Sequence, residues 1–452
     1  MGFSMLITRA FKRCELHDVK VWLEMANSYS GYERQAAVEA LARLRCAPAL
    51  PSLLFRANDW VPQVRLAAQQ ALVSLLDDAF IAEWIQALEA VVALGRAKRA
   101  DHQALMDAIG DYLSRPVHFM AVVAASAQAS VFVKRFAFDL QCAQVRNDQT
   151  LFELLAKSLT VDDVVIAQRA IERSGDISQS AHRRSLADAA CNSCFASVRA
   201  QGLRMALAGS KDVASDFLEA RCLDDSALVR SLALGALQIK NQEAVQMVVI
   251  KARQLFECSE SSAKKRTTAL LFLCSADSVA VLEHCERACR SSLPALRRIG
   301  YAKLLSHAPV ESREGLLLSA LADHSQRVQR LAVEYVRRGA SPPPGERVLD
   351  IALGHKTPDA LARAFSILRH SPTWGRLHWL LQAREMQLNS DGQQVVLSAL
   401  SLWASDAVRS FMLPSAAERI SLRNEWNSAA PSIPKPLQES ISFHLKAYQI
   451  LP

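Results

Sequence analysis

Glycine is the first shortage, with 15 in 452 residues. Neither G-x-x-x-x-G-K-[ST] nor G-x-G-x-x-G occurs, so the common backbone cradles for nucleotide phosphates are excluded. H-E-x-x-H and G-x-S-x-G are missing as well, and with them the zinc-protease helix and the hydrolase nucleophile elbow. No apolar run approaches the roughly 18–20 residues that span a bilayer. Met1 to Arg13 holds a short apolar run broken by Arg9 and followed by Lys12 and Arg13. A signal peptide places its charges first. Gly2 stands where myristoylation begins, but Leu6 occupies the position that needs Ser or Thr. Runs of alternating apolar and polar residues long enough for a sheet are also lacking. The chain reads as a cytoplasmic protein that makes no use of a membrane.

Half of the residues are hydrophobic, enough for a core and too many for general disorder. The remainder is rich in Ala, Leu, Arg, Gln and Glu, all good helix formers. One phrase recurs. Its clearest copy runs from Asn58 through Asp59, Trp60, Val61, Pro62, Gln63, Val64 and Arg65 to Leu72. Asn58 or Asp59 can cap a helix and Pro62 suits its first turn. Val64, Ala68, Ala71 and Leu72 then form one apolar stripe, with small residues where a neighbouring helix approaches. Related phrases occur at Glu33–Leu41, Asp224–Leu237 and Asp323–Val336, the last with Gln329 in the Arg position and Ala332 in the small slot.

With the Arg position as marker, rungs fall at Arg34, Arg65, Lys134, Val164, Arg199, Arg230, Arg266, Arg297, Gln329, Leu361 and Gln394. Their spacing is 30 to 36 residues, apart from 69 between Arg65 and Lys134, where a hidden unit is expected near Ala104 to Tyr112. A period of this size is the mark of a helical solenoid. The predicted fold is all-α, a solenoid of about twelve HEAT-like helix pairs. It occupies residues 1–430, with Phe3 to Met25 as an N-terminal capping helix. A Pro-containing linker and C-terminal capping helix make up residues 431–452. Ser341 to Gly345, with three successive prolines, marks a loop between helices.

The pattern of D-x5-R and V-R-x-x-A-x-x-A-L resembles the short bacterial HEAT repeats, including those named after phycobilisome lyases. That resemblance implies a structural ladder of Asp and Arg between repeats. Asp59 with Arg65 and Asp224 with Arg230 keep the spacing, and Asp323 keeps it with Gln329. Arg266 and Arg297 lack an Asp six residues earlier. It implies little about activity, and nothing in the chain speaks of a chromophore.

Ten cysteines are scattered along the chain, without the dense spacing of a disulfide-stapled domain. Cys46, Cys142, Cys222 and Cys274 sit in apolar helical patterns, where a thiol acts as a small hydrophobe. Cys191 with Cys194, and His284 with Cys285 and Cys289, have helical spacings that could gather metal ligands. A zinc site wants about four converging ligands. The two sets lie about three repeats apart, roughly 30 Å at 8–10 Å per packed helix, and cannot share an ion. Buried structural cysteines are the better reading, so no metal site, cofactor site or catalytic residue is assigned. The pattern also resembles the HEAT-like DNA glycosylases, a resemblance that implies a pocket of Trp and Asp, but Trp403 and Asp406 are the one close Trp/Asp pair in the C-terminal half.

The charge is uneven. Residues 241–340 hold 15 Lys and Arg against 10 Asp and Glu, a net +5 of the chain's +8. Lys264, Lys265, Arg266, Arg297, Arg298, Arg327 and Arg330 lie on three consecutive rungs, which should stack about 10 Å apart into one ridge. Such a ridge suits an acidic partner. The function so read is a non-enzymatic scaffold for a protein partner. Nucleic-acid binding through the same region is the alternative, and a glycosylase-type enzyme a distant third.

Overall fold

A helix needs a start, an apolar stripe and a stop, and the recurring phrase supplies all three. In helix Pro62–Ser74, Pro62 takes the first position and Val64, Ala68, Ala71 and Leu72 are the buried residues, the stripe expected from their spacing. The cap differs from expectation. Val61 is the N-cap and contributes no side chain, while Asp59 Oδ1 accepts a bond from the Val61 N–H at 2.9 Å and so braces the loop rather than the helix.

The computed structural model describes residues 19–209, 213–277, 280–355, 357–409 and 412–452. Among them are 27 α-helices and no strand. The chain is an all-α solenoid of HEAT-like helix pairs, and it divides into two compact units between Val213 and Ala214. The first unit contains six pairs. They are Val19–Met25 with Gly31–Arg43, Leu50–Arg56 with Pro62–Ser74, and Ile81–Gly95 (broken at Ala87) with Gln103–Leu113. Pro116–Ser126 with Val131–Gln144, Asp148–Ser158 with Val164–Arg173, and Ser180–Cys191 with Ala196–Gly209 complete it. The expected helix from Phe3 is helical over Val19–Met25; residues 1–18 lie outside the described residues.

Seven pairs make up the second unit. Ser215–Cys222 with Ala227–Lys240, Gln242–Glu257 with Ala263–Ala276, and Val281–Cys289 with Pro294–His307 come first. Val310–Leu321 with Gln326–Arg337, Gly345–His355 with Pro358–Leu368, Thr373–Glu385 with Ser390–Ala407, and Ala416–Ala429 with Lys435–Ala447 follow. The hidden unit near Ala104 is helix Gln103–Leu113, and the pair beyond the expected twelve is the last.

The rung markers keep register within the second helices. Nine of the eleven stand at the fourth residue of their helix. Val164 opens its helix instead, which moves that slot to Ala167, and Gln394 is one residue late. Three residues further on is the small slot, which is Ala or Gly in ten of the thirteen second helices. Ala68, Ala233 and Ala332 are fully buried there. Glycine shows how close the approach is. A Cβ on Gly202 would lie 2.7 Å from Ala190 Cβ, and one on Gly300 would lie 2.6 Å from the Cys285 carbonyl oxygen. A larger residue at this slot would push the two helices of a pair apart.

The third pair departs from this pattern. Its first helix parts at Ala87, whose N–H is shared between the Glu83 and Trp84 carbonyls at 2.9 and 3.2 Å. Its second helix carries Ile109, not Ala, in the small slot. Trp84 fills the space, fully buried, with its indole N–H on the Leu75 carbonyl at 2.8 Å.

Candidate functional site

An arginine at the fourth helical position can reach back to the carbonyls of the loop that precedes the helix. Arg34, Arg65, Arg199, Arg230 and Arg297 all do so. Each donates from Nη1 to the carbonyls five and six residues earlier, over 2.7 to 3.1 Å. Gln329 copies half of this with a bond to the Asp323 carbonyl at 2.6 Å. The six-residue Asp-to-Arg spacing therefore records a backbone contact, not an ion pair between those two side chains.

The Asp side chain turns to the preceding rung instead. Arg34 Nε and Nη2 grip Asp59 at 2.9 and 2.8 Å, and Arg297 grips Asp323 at 2.7 and 2.9 Å. These are ladder rungs between repeats, spaced 25 and 26 residues apart. Arg297, without an Asp six residues before it, has its partner one repeat ahead. Burial pushes both carboxyls up, but the arginine hydrogen bonds and charges outweigh it and hold Asp59 and Asp323 below the usual carboxylate range.

The seven predicted cations lie at the starts of helices Ala263–Ala276, Pro294–His307 and Gln326–Arg337. Pro294–His307 packs against both of the others. They do not form one uniform ridge. Arg297 is consumed by its rung, Arg266 turns to donate from Nε to the Phe256 carbonyl at 3.0 Å, and Lys264 pairs with Asp225 at 2.7 Å. Lys265, Arg298, Arg327 and Arg330 are exposed and make no ion pair among the described residues. Helix N-termini carry partial positive charge and ordinarily attract acids. These three helices have no acid in the first turn, nor has Ala227–Lys240 before them. Their partner helices are the opposite, with Asp216, Glu243, Glu283 and Glu311 in the first turns. Acid and base are sorted between the first turns of the two helices in four successive pairs.

A groove of about 890 Å³ lies along helices Gln326–Arg337, Pro358–Leu368 and Ser390–Ala407. Phe365, Val395 and Leu402 give it apolar walls, and Arg337, Arg369 and Arg376 stand at its border. Arg376 and Arg369 also hold Asp406, at 2.8 and 3.2 Å. Burial raises the Asp406 carboxyl, but those two guanidinium groups bring it below its ordinary value. Trp403 is fully buried, donating to the Thr373 carbonyl at 2.8 Å and packing edge-on to Trp374. Tryptophan and aspartate are thus occupied in structure.

The cysteine sets separate in the same way. Cys191 is buried and Cys194 exposed. His284 meets Asp277 at 3.2 Å, Cys285 faces Cys274 with sulfurs 3.6 Å apart, and Cys289 backs onto Gly300. No cluster of three metal-ligating side chains occurs among the described residues, and no helix among them is long and apolar enough to cross a membrane.

Two surfaces escaped the sequence reading. The groove is one, because its walls come from three repeats. The other is an aromatic patch in the first unit, where Tyr29 is 90% and Trp60 60% exposed. The two rings meet edge to face at 6.4 Å, with the Arg34 guanidinium 5.4 Å from the Trp60 ring. Tyr32 and Phe55 are also exposed. Exposed aromatics of this kind are the residues that anchor protein interfaces.

No family model and no curated protein matches the chain. Among solved structures it is similar to Kap95p in complex with RanGDP, with a TM-score of 0.40 and 13% identity over 95% of this chain and 67% of that one. Importin beta from an ammonium sulfate condition gives 0.36 and 12%, over 95% and 68%. UNC-45 from Drosophila melanogaster gives 0.25 and 12%, over 87% and 63%.

Proposed function

We propose that this chain is a non-enzymatic adaptor that holds an acidic, partly apolar segment of a partner protein. The observation that carries the reading is the groove beside unpaired cations. Arg330 lies one turn before Val333, the first groove residue of helix Gln326–Arg337. A cavity of this size falls in the range of roughly 300–1,000 Å³ that takes a compact ligand. An amphipathic helix could lay its apolar face along Phe365, Val395 and Leu402, with its acids toward Arg337 and Arg369. The adaptor works in the cytoplasm, a reducing setting that suits nine described cysteines of which none is assigned to a disulfide. Its repeat pattern resembles the short bacterial HEAT repeats. Trp403 and Asp406, the nearest approach to a catalytic pair, are spent on packing and an ion pair.

The test starts with affinity purification from the native host and mass spectrometry to obtain the partner. Ala362→Trp, at an exposed position lining the groove, should then speed dissociation. The triple reversal Lys265→Glu, Arg298→Glu and Arg330→Glu should slow association and flatten its salt dependence. Unchanged kinetics in both variants would remove the groove and its cations from the binding surface.

A second reading draws on the same four exposed cations, because positive helix ends with no acid in the first turn also suit phosphates. Nucleic acid would then co-purify, visible in the 260/280 nm absorbance ratio, and its affinity would fall steeply with salt. A clean ratio and no salt-dependent binding would remove it.

A further inference from the structure

The rungs at Arg34 and Arg297 define what a complete rung looks like. Nη1 is anchored on two loop carbonyls, while Nε and Nη2 present a two-pronged edge that a planar carboxylate fills. Arg230 repeats the first half without the second. Its Nη1 donates to the Asp224 and Asp225 carbonyls at 2.8 and 3.0 Å, and the residue is only 8% exposed. Asp59 and Asp323 each stand three residues before their helix. The corresponding residue in the repeat after Arg230 is Glu260, which is exposed and makes no ion pair among the described residues. Asp225, close in sequence, is engaged by Lys264. No carboxylate grips the Arg230 guanidinium among the described residues.

The space beyond that guanidinium is open. Arg230, Ser231, Leu234 and Gln238 line a pocket of about 300 Å³, closed on its other side by Phe272 and Ser275 of helix Ala263–Ala276. From Arg230 to Gln238 it runs about 12 Å along the helix, at 1.5 Å per residue. That is room for one side chain and the backbone on either side of it. Ser231, Gln238 and Ser275 supply hydroxyl and amide groups for that backbone, and Leu234 and Phe272 an apolar floor. A buried guanidinium with no carboxylate against it is costly to maintain. Burial lowers the Arg230 pKa, and the charges of Asp224 and Asp225 offset it only in part.

The geometry points to an unfilled rung: Arg230 and its pocket take the side-chain carboxylate of an acidic segment supplied by a partner protein, which completes the ladder in trans. The ligand is a carboxylate because that group fills the same fork at Arg34 and Arg297 in this very chain. Bidentate recognition of this sort is specific to arginine and is lost with lysine. The inference rests on the proposed protein partner only for the source of the carboxylate.

A titration can read the pocket without that partner. The blocked tripeptides Ac-Gly-Asp-Gly-NH2 and Ac-Gly-Asn-Gly-NH2, and inorganic phosphate, are added to the full chain at constant ionic strength, following the Arg230 Nε–H resonance by NMR. The Asp peptide should shift it saturably, and the Asn peptide should not. Phosphate should bind more weakly than the Asp peptide. Arg230→Lys should weaken the Asp peptide about tenfold or more, the worth of one charge-assisted hydrogen bond; this variant keeps the cation and the fold if Arg230→Met does not. Its binding is followed through backbone amides of residues 231–238. Equal responses to Asp and Asn, tighter binding of phosphate, or undiminished binding in the lysine variant would each overturn the assignment. A negative titration leaves the adaptor reading standing, and a fruitless partner search leaves the pocket standing.

Discussion

Two rungs of one design sit in very different surroundings. In the first unit the Arg34 and Asp59 side chains are 3% and 2% exposed. Asp59 takes a second arginine, Arg56, at 2.8 Å, and the Trp60 ring lies near the Arg34 guanidinium. In the second unit Arg297 and Asp323 are 16% and 6% exposed, beside Arg298 and Arg327 in solvent. The rung after it is uncharged, with Gln329 facing His355 at 3.3 Å. The same bidentate geometry is thus sealed into one unit and left at the border of a polar surface in the other. A charge pair matters in proportion to how far water is kept from it. The motif is shut away from solvent near Asp59 and borders exposed cations near Asp323.

Cutting the sealed rung should do the most damage. Arg34→Met leaves Asp59 buried with Arg56 and the Val61 N–H, and stability should fall by about 3 kcal/mol, toward the lower end for a broken buried pair. Arg297→Met should cost about 1–3 kcal/mol, since water can reach the orphaned carboxylate. Denaturant titration of both variants reads the difference, and equal losses would break the comparison. Packing gives a control in which the units should agree. Gly202→Ala in the first and Gly300→Ala in the second each force a Cβ into the neighbouring helix, for about 1–3 kcal/mol. Ala68→Leu and Ala233→Leu test the same slot, and unchanged melting in all four would mean that the slot is misplaced.

Acid should sharpen the contrast further. Both rung carboxyls have folded pKa values held below the unfolded one, so their stabilisation is present above about pH 4 and is lost as pH falls through the folded value. Melting temperatures followed from pH 6 to pH 3 should therefore drop more steeply in the native sequence than in Asp59→Asn or Asp323→Asn. A parallel decline in all three would show that neither rung is linked to pH. The smallest effect belongs to the surface. Lys265→Glu, Arg298→Glu and Arg330→Glu together should shift stability by less than about 1 kcal/mol, and a large loss would mean those cations are structural after all.

Much of this fold is legible without coordinates, because the stripe of Val64, Ala68, Ala71 and Leu72 depends only on helical spacing within one segment. Register is legible for the same reason in nine of the eleven marked helices. It slips at Val164, where the N-cap Asp163 moves the start, and at Gln394 by one residue. The pairing of the ladder is less legible. Asp59 and Arg65 are close in sequence, yet the partner of Asp59 is Arg34, which stacking of the repeats alone brings near. Exposure is hardest of all. Trp60 stands in the loop before helix Pro62–Ser74, where no periodicity fixes its exposure, and the groove wall of Phe365, Val395 and Leu402 joins residues that no single helix pattern connects.

The sorting of first-turn acids and cations between partner helices reaches beyond any one contact. Dipoles of paired helices run opposite ways and cancel, but the side chains placed on their ends do not. From Ser215 to Arg337 the first turns of one set of helices carry acids and those of the other set carry cations, so the helix starts of this stretch differ in sign. A polar molecule drifting past it feels a torque as well as a pull. Within the Debye length, about 8 Å at physiological salt, a molecule with one acidic side would be turned toward the cationic helix starts before the first atoms touch.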